Sequence, residues 1–113
     1  MPSKYKLASK CQNIVKFIPS ITPEIYTLSV YTSQSGVYTV VTINGIKFSI
    51  NGYTGYSTVN FGSFLNLPVV FFGSKTISFE VPTNAISGIY NVSVKNINYP
   101  ATLYSNIVTY TIT

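Results

Sequence analysis

The chain has 113 residues and only nine formally charged side chains, seven Lys and two Glu, with no Asp, Arg or His. One domain fits this length, and a chain this long can bury a core without disulfides or metals. The charge inventory alone removes zinc sites, clustered-carboxylate calcium loops and Ser-His-Asp triads, so no catalytic residue, metal site or cofactor is expected.

The 13 Ile, 12 Val and 13 Thr, with 10 Tyr and 7 Phe, suit pleated, half-buried strands, whereas Ala and Leu together number eight. An all-β domain follows. Cys11 is the single cysteine, so no intrachain disulfide can form. Lys4, Lys6, Lys10 and Lys16 interrupt every apolar run near the start, so no signal peptide is visible, and no stretch reaches membrane-span length. These four Lys face no acid before residue 18, whereas the rest of the chain is almost neutral. Residues 1–17 therefore read as a basic arm, including part of a first strand, and residues 18–113 as the domain.

In chain order, turn residues mark off short β-like runs. Asn13–Ile21 is an expected first strand, closed by Pro19 and Pro23. Ile25–Thr32 is a second. Val37–Ile43 is a third, with Val37, Thr39, Val41 and Ile43 on one face. Asn44-Gly45 reads as a turn or bulge, and Lys47–Ile50 as a short strand. A two-glycine loop spans residues 51–56. Strands follow at Ser57–Phe61, Pro68–Phe72 and Lys75–Val81, the last with Ile77, Phe79 and Val81 inward. Pro82–Ser87 is a turn. Gly88–Lys95 turns Tyr90, Val92 and Val94 inward, Asn96–Ala101 is a loop, and Leu103–Ile112 closes the fold.

Six pieces stand in order: Ser20-Ile21-Thr22-Pro23, Val41-Thr42-Ile43-Asn44-Gly45-Ile46-Lys47-Phe48, Val59-Asn60-Phe61-Gly62, Ile77–Pro82, Gly88–Val94 and Val108-Thr109-Tyr110. From about residue 18 onward this pattern resembles an IPT/TIG domain. The resemblance implies an immunoglobulin-like antiparallel β-sandwich of seven to eight strands. It departs at Ser35-Gly36-Val37-Tyr38, where the family usually carries a Gly-Gly pair, and at Ile25–Thr32, which is longer than usual. The resemblance implies a class of jobs and no shared catalytic residues.

So few charges leave the outside of a sandwich to Ser, Thr, Asn, Tyr and some Ile and Val, a composition that suits covered surfaces. Beginning at Met1 and ending just after its last strand, the chain reads as a stand-alone domain with a docking arm (Lys4, Lys6, Lys10, Lys16 and Phe17). Richness in Asn, Ile, Lys and Tyr fits an AT-rich genome, common among large DNA viruses. The leading expectation is a non-enzymatic structural protein of a large assembly: a minor capsid, cement or decoration protein, located in the virion and assembled in the infected cell's cytoplasm. Its partners are then other protein subunits, with nucleic acid and membrane disfavoured. A second expectation is a glycan-binding or adhesion module using a candidate loop surface of Tyr53, Tyr56 and Tyr99. A third is nucleic-acid binding through the arm, marked by steep salt dependence.

Overall fold

The computed structural model describes residues 22–48, 56–71, 73–97 and 102–113. These form ten strands and no helix: β1 (Glu24–Leu28), β2 (Thr32–Ser33), β3 (Val40–Ile46), β4 (Tyr56–Phe61), β5 (Phe64–Leu67), β6 (Val69–Phe71), β7 (Thr76–Glu80), β8 (Gly88–Ile97), β9 (Thr102–Tyr104) and β10 (Val108–Ile112). One sheet runs β1-β3-β7-β6. The other runs β2-β10-β8-β4-β5, with β9 also on β8. All pairs are antiparallel except β2 with β10, which are parallel. The architecture is an immunoglobulin-like β-sandwich.

Alternation along the strands makes the core. Val41 and Ile43 of β3, Ile77 and Phe79 of β7, Val59 and Phe61 of β4, Val92 and Val94 of β8, and Tyr110 of β10 are all buried. Phe61 is central. Its ring stacks on Tyr90 at 4.7 Å and meets Tyr110 edge-on at 5.4 Å and Phe79 at 5.9 Å. The register Val41↔Phe79 and Ile43↔Ile77 sets the facing wall.

The β3 motif has a physical reason. Asn44-Gly45 is not a turn, because β3 continues to Ile46, but the expected irregularity is there: the β1–β3 register slips between Gly45, opposite Ile25, and Asn44, opposite Thr27. A Cβ on Gly45 would lie 2.0 Å from the Glu24 carbonyl oxygen and 2.7 Å from the Phe48 ring. Glycine stands there because the β1 backbone and the buried Phe48 ring both close on it. Lys47 then takes a left-handed φ of 62°, ending the strand and folding Phe48 inward.

Other expectations change as well. Ile25–Thr32 is broken at Ser29, whose N–H donates to the Thr42 carbonyl and whose hydroxyl accepts from the Thr42 N–H. The chain then crosses to the second sheet as β2. The third strand begins at Val40, and Val37 is 48% exposed, outside the core. Phe64–Leu67 is an unforeseen strand, and the described residues carry ten strands where seven to eight were expected. β8 runs on to Ile97, so Asn96 lies in a strand instead of a loop. Leu103–Ile112 is split at residues 105–107, where the Ser105 N–H donates to the Val94 carbonyl and its hydroxyl accepts from the Val94 N–H. Asn106 then reaches the opposite sheet. Its Oδ1 accepts from the Ile25 N–H at 2.7 Å and its Nδ2 donates to the Ile25 carbonyl at 3.0 Å, as a neighbouring strand would. The expected strand Asn13–Ile21 and residues 49–50 of Lys47–Ile50 lie outside the described residues; Lys47 and Phe48 are not in a strand.

Candidate interaction surface

Residues that alternate with the core form the outer face of the second sheet. Tyr56, Thr58 and Asn60 on β4 pair with Ile97, Lys95 and Ser93 on β8. Further along β8, Asn91 and Ile89 pair with Thr109 and Thr111 of β10. Tyr104 of β9 stands beside Lys95. Ile89 is 74% exposed and Tyr104 56% exposed. Lys95 is the one charged residue among the described residues of this face, and its Nζ donates to Asn66 Oδ1 at 3.0 Å.

A cavity of about 410 Å³ opens at one end of this face, among Tyr56, Thr58, Asn66, Pro68, Lys95 and Ile97. Thr58 is 7% exposed, and its Oγ1 has no hydrogen-bond partner among the described residues. Beneath the face, Asn96 forms a polar node in the core. Its Oδ1 accepts from the Ser57 hydroxyl at 2.5 Å, and its Nδ2 donates to the Lys47 carbonyl at 2.8 Å.

A second groove, of about 390 Å³, lies where both sheets end. It is lined by Tyr38, Phe64, Leu67, Val70, Glu80 and Pro82, among others. β5 and β6 are terminal strands of their sheets, joined through Pro68. Val40 pairs with Glu80, which brings the nearby Tyr38 to the same rim. The Tyr38 hydroxyl donates to Glu80 Oε1 at 3.1 Å. That bond, reinforced by repulsion between the carboxylate and a phenolate, pushes ionisation of Tyr38 above the ordinary phenol value.

Of the residues singled out by sequence, Tyr56 is described: it opens β4, is exposed, and lines the first cavity. Lys4, Lys6, Lys10, Lys16, Phe17, Tyr53 and Tyr99 lie outside the described residues. Sequence reasoning missed the Tyr38–Glu80 pair, because the two are 42 residues apart and only the β3–β7 register joins them. Among the described residues no group of three or more His, Cys, Asp or Glu comes together. No helix among them is long and apolar enough to cross a membrane.

The family model for the IPT/TIG domain matches residues 18–112. No curated protein matches the chain in sequence.

Proposed function

The chain belongs to the IPT/TIG domain family, whose immunoglobulin-like modules mediate protein–protein interaction, and from that premise we propose that it is a non-enzymatic structural subunit of a large protein assembly. The observation that carries this reading is the outer face of the second sheet. It spans β10, β8 and β4, presents Ile89, Tyr56 and Tyr104 to the outside, and holds Lys95 as its one described charge. Interface cores are depleted in charge and enriched in Tyr, and a near-neutral surface left bare promotes association. Most concretely, we propose a minor capsid, cement or decoration protein of a virus, on the added ground of the Asn-, Ile-, Lys- and Tyr-rich composition. The basic arm, with Lys4, Lys6, Lys10, Lys16 and Phe17, is a second attachment point in this proposal.

The test is recovery of the protein from its native source. It is expected in purified particles by mass spectrometry, and as an oligomer or insoluble material when expressed alone. Ile89→Lys should weaken association by about tenfold or more while leaving the melting temperature unchanged, since Ile89 lies outside the core. A freely diffusing monomer absent from particles refutes the proposal.

A further inference from the structure

We propose a mechanical function for this domain: its first and last segments form a parallel clasp that bears tension applied between the two ends of the sandwich. The inference stands apart from the assembly reading, and either can fail alone.

Among the described residues β2 and β10 are the parallel pair in an otherwise antiparallel fold, and the two segments run side by side well beyond it. At one end the Asn106 side chain holds both main-chain groups of Ile25, 81 residues away, at 2.7 and 3.0 Å. At the other end Thr32 and Ser33 lie opposite Thr111 and Ile112. There the Thr111 N–H donates to the Tyr31 carbonyl at 2.9 Å, the Thr113 N–H to the Ser33 carbonyl at 2.9 Å, and the Ser35 N–H to the Thr113 carbonyl at 3.0 Å. The bend that joins β1 to β2 is braced as well. The Leu28 N–H donates to the Tyr31 hydroxyl at 3.1 Å, and Ser29 is bonded to Thr42 through both its N–H and its hydroxyl.

Direction turns this arrangement into a clamp. Because the two segments run the same way, the domain begins near Asn106 and ends at Thr113, about 23 Å further along the strands. Tension between those ends drags the β1–β2 segment one way and β10 the other, along the strand axes. The hydrogen bonds lie across that direction, so they share the load and must give way together. A pull that parts two strands from one end would instead break them in turn. The clasp also cannot be bypassed. Under such tension the chain lengthens when the first segment slides off β3 and β10, or when β10 slides out from between β8 and β2, and the clasp bonds belong to both routes.

The experiment is single-molecule stretching of the full chain at constant force, with handles joined before Met1 and after Thr113. The lifetime of the folded state under load reads the barrier to leaving it. Residues 25–113 should be released in one step of about 280 Å. In a second arrangement one handle is moved to position 34 through Gln34→Cys, in a Cys11→Ser background. Gln34 adjoins Ser35, so this pull peels the same clasp open from its Thr113 end, one bond after another. At equal force the end-to-end lifetime should exceed the peeling lifetime by about a hundredfold or more. Asn106→Ala should shorten the end-to-end lifetime about tenfold and change the peeling lifetime by less than about twofold, since peeling starts far from Asn106. A side chain that only adds to overall stability would shorten both alike. Thr113→Pro removes the N–H and hydroxyl bonds to the Ser33 carbonyl at an exposed position, so it should fold, and it should also shorten the end-to-end lifetime about tenfold. An end-to-end lifetime no longer than the peeling one, release in several steps that begin elsewhere, equal effects of Asn106→Ala in the two directions, or no effect of Thr113→Pro overturns the inference.

Discussion

Replacing Asn96 with alanine tests the idea that a polar node ties the two sheets together beneath the apolar core. Asn96 is 1% exposed, and its side chain holds Ser57 of β4 and the carbonyl of Lys47 at the end of the β3 segment. Each lost hydrogen bond removes about 1 kcal/mol, and the desolvated partners lose a buried acceptor and donor, which costs about 1 kcal/mol more. The expected loss is about 3 kcal/mol, and a domain of this size should melt about 15 °C lower. Lys47 contributes to the effect, because its left-handed φ of 62° is held in part through that carbonyl. Urea unfolding followed by tyrosine fluorescence measures the change. Ser57→Ala alone should cost about 1 kcal/mol, and in that background Asn96→Ala should cost about 1 kcal/mol less than in the wild type. If Asn96→Ala costs under 1 kcal/mol, the node does not couple the sheets; if the two changes simply add, Ser57 is not part of it.

Gly45→Ala should destabilise by more than about 2 kcal/mol, because the new methyl meets the Glu24 carbonyl and the Phe48 ring; chemical denaturation reads it, and a neutral result contradicts the close approach. Tyr110→Phe should be neutral or stabilising by about 1 kcal/mol, since the buried Tyr110 hydroxyl has no hydrogen-bond partner among the described residues; a clear loss of stability would show that the hydroxyl is satisfied. In a spectrophotometric titration Tyr38 should ionise after an ordinary tyrosine, and Glu80→Gln should bring it back down. A phenol whose ionisation is raised on folding adds stability below its unfolded value and loses it as pH rises through the folded one, so the Tyr38 contribution should be lost in alkali.

Alternation was the part of the fold most legible in the sequence. Ile77 and Phe79 mark the inward side of β7, with the buried Val81 just past its end, and Val92 and Val94 that of β8, because a half-buried strand must alternate. β5 was hidden because it is an edge strand: Leu65 and Asn66 face outward and Phe64 and Leu67 are half-buried, so no clean period appears. Asn44-Gly45 looks like a turn because a glycine needed for close approach and one needed for a turn are the same letter. Asn96 looks like a loop residue because polarity signals exposure unless partners 39 and 49 residues away are known. The candidate surface was legible as a shortage of charge and illegible as a place. Composition shows that the outside is neutral, but register decides that Ile89 and Tyr104 share a face and that Glu80 sits on a groove rim.

The side chain of Asn106 has a consequence for how copies can join. By taking the main-chain donor and acceptor of Ile25, it closes the outer side of β1, and the Tyr31 hydroxyl does the same for the Leu28 N–H. The opposite margin of that four-stranded sheet ends at β6 with no such plug among the described residues. The sheet therefore has a strand-pairing valence of one. It can take up an extended segment at β6, but it cannot offer β1 in return, so two copies cannot join by running this sheet edge to edge from β6 onto β1.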